Sequence, residues 1–325
     1  ELTRALRLAV NRRTAVADVL RVAVVSPQRV SEDDWRVLGD YGWEVDASRL
    51  AGQRDPVALL RQLAASAPDP ALQRRFGLLA LGAGSAGKDA PAPDAAEREA
   101  TRTLLTTVLA APAEVRANRD LLGYQGPALV ARAAATPVEA QQLGTQLLAA
   151  LERADASQDN AADARLSSVI TELTLFKQQH PDTPVPPALQ EKAHERVAAA
   201  DAAAKTPHER QATISSAVYV LREAGDDAAA ETLLRAELDR SQTPYYYMPE
   251  LAELAEQRGD TAGALEWLKR AYDGAQGPAT RVQWGVLYVE GLLKLAPEDA
   301  PRIEQATASL IAELEAQPSG YHQRT

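Results

Sequence analysis

The run Leu254-Ala-Glu-Gln-Arg-Gly-Asp-Thr-Ala-Gly-Ala-Leu-Glu-Trp-Leu-Lys-Arg-Ala-Tyr272 decides the fold. At its centre Gly259-Asp260 marks the end of one helix and the start of another. Glycine adopts the left-handed conformation that closes a helix, and an aspartate carboxylate accepts from the unpaired amides of the next helix. The same dipeptide, Gly225-Asp226, stands 34 residues upstream, and the pairs Ala230 and Ala264, Leu234 and Leu268, and Pro244 and Pro278 keep that spacing. A turn glycine, a small helix residue, a large one and a closing proline in one register describe a helix hairpin used twice.

Outward from this pair, the chain reads as helical throughout. Asp55-Pro56, Asp69-Pro70, Thr136-Pro137 and Thr206-Pro207 each join a capping side chain to a proline at the first helical position. Glu139 and Glu209 stand at capping-box spacing from their threonines, Ser31 and Asp34 cap another start, and Val30 and Trp35 are spaced as a hydrophobic staple. Apolar stripes at helical period follow, such as Val16, Val19, Leu20, Ala23 and Val24, or Leu166, Val169, Ile170, Leu173 and Phe176. The spacing predicts helices over 2–24, 31–38, 55–66, 70–81, 95–110, 113–121, 127–134, 137–154, 161–180, 187–204, 207–224, 227–241, 246–258, 261–275, 279–295 and 298–316. Only Arg21 to Val25 and Trp43 to Val45 have strand character. Two stretches interrupt the rhythm: Gly82 to Asp94 reads as a flexible loop or boundary, and His180 to Pro187, with its four prolines, as a stiff connector. The expected organisation is an N-terminal helical subdomain over 1–82, a loop or linker over 83–94, helical hairpins over 95–180, a connector over 181–186 and a C-terminal subdomain over 187–325.

Composition agrees with an all-α chain and excludes several functions. Hydrophobic residues make up 46% but aromatic ones only 5%, so alanine, leucine and valine carry the core. No cysteine is present, which removes disulfides, thiolate metal sites and cysteine nucleophiles. The four histidines, 180, 194, 208 and 322, are too scattered for an evident metal cluster, and no cofactor is expected. A net charge of −10 disfavours nucleic acid and anionic membranes, and no apolar run is long enough for membrane insertion. The start at Glu1, without methionine or signal peptide, suggests processing or a cut.

The segment 211–278 resembles the tetratricopeptide family, with Gly259, Ala264, Leu268 and Ala271 at that family's small and large positions and Glu237 where Ala271 sits in the second copy. The resemblance implies stacked antiparallel helix hairpins in a right-handed superhelix. The stretch SEDDWRVLGDYGWEVD at Ser31 to Asp46, with the C-terminal segment Gly259 to Asp299, is similar to the helical region that follows the thioredoxin domain in some secreted, periplasmic proteobacterial proteins. This implies a noncatalytic accessory region in the periplasm or outside the cell, whose parent's redox domain is absent here.

Motifs for chemistry meet unsuitable surroundings. Gly82-Ala-Gly-Ser-Ala-Gly87-Lys88 has the spacing of a phosphate loop, but a helix precedes it and Asp89 replaces the metal-binding hydroxyl, so it reads as a flexible loop. Glu191 and His194 have carboxylate-bundle spacing without a second pair, and read as a solvent-facing ion pair. Trp267, Trp284 and Tyr288 are expected in the core, while three consecutive tyrosines, 245 to 247, should leave at least one exposed, next to Glu250, Glu253 and Glu256 and so suited to peptide recognition. By the repeat register, Tyr219, Arg222 and Glu223 from one hairpin and Tyr246, Glu253 and Glu256 from the next should face a concave surface suited to an extended peptide or to the parent's missing N-terminal domain. Two other readings are an all-α enzyme with a carboxylate-lined cavity, which requires two or more buried carboxylates with shifted pKa values in one pocket, and a structural spacer.

Overall fold

The computed structural model of the chain describes residues 16–43, 50–85, 92–156 and 163–316. Among them helix accounts for 81%, in 16 α-helices without a strand. The strand character of Arg21 to Val25 therefore yields to helix α1, Val16–Val25, because Val19, Leu20 and Ala23 recur at helical spacing and all become buried. Trp43 is buried too, its indole N–H donating to the Leu38 carbonyl at 2.7 Å, and the rest of that pattern lies outside the described residues.

Two compact units form, the described parts of Glu1–Asn160 with Ser167–Pro181, and of Ala161–Leu166 with Asp182–Thr325. The first holds α1, α2 (Glu32–Gly39), α3 (Pro56–Ser66), α4 (Pro70–Ser85), α5 (Ala95–Leu109), α6 (Pro112–Ala117), α7 (Arg119–Ala133), α8 (Pro137–Asp155) and α9 (Ser167–Gln179). The helices on either side of residues 83–94 belong to this one unit, and the chain passes to the second at the proline-rich connector.

Caps start these helices as their sequences dictate. Ser31 accepts from the Asp34 amide, Asp55 from Val57 and Ala58, and Asp69 from Ala71. Helix α4 runs past the expected end at 81, which corrects the loop boundary at 83. Gly82 is buried where a side chain would overlap Gln125, and the Ser85 hydroxyl donates to the Leu81 carbonyl at 2.6 Å. Lys88 and its neighbours lie outside the described residues.

Helix α7 is the hub of this unit, packing against α4, α5, α6, α8 and α9. The sequence predicts separate helices over 113–121 and 127–134, yet α7 continues through Pro127. Proline has no amide proton for the carbonyl four residues earlier. That carbonyl, of Gly123, lies 3.1 Å from the Thr171 hydroxyl of α9, whose one proton is shared between it and the Ser167 carbonyl at 2.9 Å, so the missing bond is compensated in part from another helix. Gly126 supplies the closeness: a Cβ there would stand 2.6 Å from a Leu147 methyl of α8.

The second unit holds a 3-10 turn at Asp163–Leu166, α10 (Pro187–Ala203), α11 (Pro207–Glu223), α12 (Asp227–Leu238), a 3-10 turn at Pro244–Tyr246, α13 (Met248–Gln257), α14 (Thr261–Gly274), α15 (Pro278–Leu295) and α16 (Ala300–Ala316). Thr206 and Glu209 form a complete capping box at the start of α11. At Thr136 only half of it forms, because Glu139 accepts from the Ala135 amide rather than from that of Thr136.

The two glycine turns have one geometry. Gly225 has φ +87° and Gly259 +76°, the left-handed region. In each turn the following aspartate amide bonds back five residues, Asp226 to Leu221 and Asp260 to Ala255, and its carboxylate caps the next helix. Ala230 and Ala264 are buried after these turns, Ala264 against Ala252 and Ala255 of α13. Ala264→Leu should therefore force α13 and α14 apart and lower stability by about 1–3 kcal/mol, the usual range for overpacking. Denaturant titration of the variant checks this, and wild-type stability would show that the crossing has room.

Candidate functional site

The site lies in the second unit, where α11 and α13 border a hollow of about 490 Å³. Helix α11 contributes Ser215, Tyr219, Arg222 and Glu223, the last two each three or four residues after Tyr219 and so on one face. Asp227 enters from the first turn of α12, and Glu250, Glu253 and Gln257 from α13.

One guanidinium and four carboxylates line the hollow. Arg222 grips Glu253 with two bonds, 2.9 and 3.0 Å, and stands 3.7 Å from Asp227. The Arg222 bond holds the Glu253 carboxyl below its ordinary range, and the same bond raises Arg222. Glu250, one turn before Glu253, shifts the other way. Burial raises it, the charge of Arg222 works against that rise, and Glu253 adds to it. Tyr219 stands at the rim as a large aromatic that is 43% exposed.

Of the six residues predicted to face one surface, Tyr219, Arg222, Glu223 and Glu253 meet in this hollow. Glu256 pairs instead with Lys294 of α15. Tyr246 does not join them, because it packs edge-on against Trp284 with ring centroids 5.6 Å apart. Nor does any of the three tyrosines stand exposed: Tyr245 and Tyr247 are buried and Tyr246 half-buried. The cause is the 3-10 turn Pro244–Tyr246, where the sequence predicts the first residue of an α-helix. Trp284 and Tyr288 enter the core as expected. Trp267 reaches only its edge, with the Arg270 and Arg235 guanidinium groups over its ring at 4.4 and 5.3 Å. Glu250, expected beside Glu253 and Glu256 at a peptide-recognition surface, does line the hollow, whereas Ser215, Asp227 and Gln257 were not foreseen. Two of these could have been: Ser215 lies one turn before Tyr219, and Gln257 is 34 residues after Glu223.

Histidine and carboxylate candidates elsewhere part company. His194 meets Asp226 at 3.0 Å rather than Glu191, which corrects the pairing read from spacing. Among the described residues no group of three His, Cys, Asp or Glu could hold a metal ion. Two carboxylates are buried among them, Asp155 at 4% exposure and Glu237 at 1%, and they belong to different units, so neither unit brings two together. Glu237 borders a second hollow of about 330 Å³, where Arg210 holds it through Nε and Nη2 and also bonds Asp201 at 2.8 Å. No described helix is long and apolar enough to cross a membrane. No protein-family model matches the chain, and no curated protein matches it.

Proposed function

We propose that this chain is a noncatalytic interaction module of tetratricopeptide-like helix hairpins that receives an extended peptide segment in the hollow between α11 and α13. The observation that carries this reading is the hollow itself. It joins an exposed aromatic, Tyr219, to charged groups of both signs contributed by two successive hairpins. Aromatic and arginine side chains in such settings supply most of the binding energy at interfaces. The same reading makes the module the accessory region of a periplasmic or secreted thioredoxin-like parent, whose own N-terminal domain is one such partner.

A displayed library of unstructured peptides tests it. Peptides enriched on the wild-type chain should lose at least about tenfold in affinity on Tyr219→Ala, the effect of removing about 1.4 kcal/mol or more. The Tyr219 side chain is exposed, so circular dichroism and the melting temperature should change little. Unchanged affinity in the folded variant would place the interface elsewhere.

A further inference from the structure

We infer that the second unit carries another docking surface, a patch of Arg235, Arg258 and Arg270 around the Trp267 ring that takes the carboxylates of an acidic peptide segment. Printed side by side in space by their contacts, these residues come from three elements. On α12, Glu231 accepts from Nε and Nη2 of Arg235 at 2.9 and 2.7 Å, and the same carboxylate pairs with Arg258, which follows α13. Arg235 also lies over the Trp267 ring of α14 at 5.3 Å, and Arg270 lies over that ring at 4.4 Å. Three guanidinium groups therefore gather around one carboxylate. Among the described residues Glu231 is the acid that pairs with Arg235 and Arg258, and Arg270 has no ion pair. The other nearby acids are turned elsewhere: Asp273 pairs with Lys269, Glu266 acts on that same lysine, and Asp239, one turn after Arg235, is paired with none of the three arginines. In a chain with 45 acidic residues against 35 basic ones, such a cluster runs against the composition.

The arrangement suits a planar anion. A guanidinium resting on an indole face keeps its N–H edge free, and that edge matches the two oxygens of a carboxylate. Resting on the ring also orders Arg235 and Arg270 in advance, so less side-chain freedom is lost when a partner arrives. All three arginines are exposed, and the Arg270 guanidinium donates to nothing among the described residues. Charge complementarity therefore favours an acidic partner, and the net charge of −10 favours a short one. A long polyanion such as nucleic acid feels the repulsion of the whole chain, whereas a few carboxylates meet the local field. The patch shares no residue with the α11–α13 hollow, so it goes beyond the reading above and stands without it.

The test titrates the full chain into two fluorescent twelve-residue peptides of alternating composition, Glu-Ala and Gln-Ala, at physiological salt. Glu-Ala should bind at least about tenfold more tightly, an order opposite to the one that the net charge of −10 alone would give. The decisive comparison is between two variants that remove equal charge. Arg258→Gln/Arg270→Gln should weaken Glu-Ala binding about tenfold, while Arg54→Gln/Arg116→Gln, exposed arginines of the first unit, should leave it within about twofold. Glu231 keeps Arg235 in the first of these variants, and Arg270→Gln alone breaks no ion pair and should still cost about threefold. Tyr219→Ala should leave Glu-Ala binding unchanged, which separates this patch from the hollow. Equal losses in the two double variants, equal binding of the two peptides, or dependence of Glu-Ala binding on Tyr219 would overturn the inference. So would a twelve-nucleotide single-stranded DNA that binds more tightly than Glu-Ala through Arg270, since the patch would then belong to nucleic acid.

Discussion

Arg210→Met should destabilise the second unit by about 3 kcal/mol, at the lower end of the range for stranding one member of a buried ion pair. Glu237 is 1% exposed and cannot move to water, and Arg210 supplies two of its bonds. Arg240 remains within reach at 3.4 Å, but its side chain is 58% exposed and long, which is why the lower end applies. Adding Glu237→Ala to Arg210→Met removes the stranded carboxylate and should recover most of the loss. The second repeat already shows the uncharged solution, since Ala271 is buried at the equivalent position. Urea titration of the two single variants and the double variant decides the matter. A double variant as unstable as the sum of the singles would mean that the groups act independently rather than as a pair.

Trp35→Ala should cost about 3–5 kcal/mol in the first unit, the range for removing a buried indole. Trp35 is 1% exposed at the second turn of α2 and meets Phe76 of α4 edge to face, with centroids 6.1 Å apart. Alanine would leave a void between two helices whose other contacts are few. Amide exchange along α2 and α4 is the measurement, and protection there should fall by a factor of 100 or more, since each 1.4 kcal/mol is about tenfold. Protection within about fivefold of wild type would show that the neighbours close the void.

The sequence allows the helix starts and the glycine turns to be read because each is a local device. Asp55, Thr206, Gly225 and Gly259 act within a few residues of themselves, so their spacing alone carries the prediction. Pro127 and Gly82 mislead for the opposite reason. What keeps each helical lies far off in sequence, Thr171 for the carbonyl that Pro127 leaves open and Gln125 for the space beside Gly82. The site divides the same way. Tyr219, Arg222, Glu223 and Glu253 follow from helical phase within α11 and α13, whereas Tyr246 stands in a 3-10 turn whose phase differs. The burial that raises Glu250 arises from the meeting of two hairpins, which no single helix pattern contains.

In the second unit each helix from α10 to α16 packs chiefly on those next to it in sequence, unlike α7 in the first unit, which serves as a shared wall for five others. A ladder of this kind can come apart rung by rung from its end. Release of α16 removes its packing on α15 and the Glu313 carboxylate that accepts from the Tyr272 hydroxyl of α14, and leaves the crossing of α13 with α14 intact. Opening free energies in the second unit should therefore form a slope that falls toward the C-terminal helix, whereas the first unit, tied through one helix, opens as a block. The α11–α13 hollow lies inward on that slope, so the surface proposed to receive a partner should stay assembled while the last helices open.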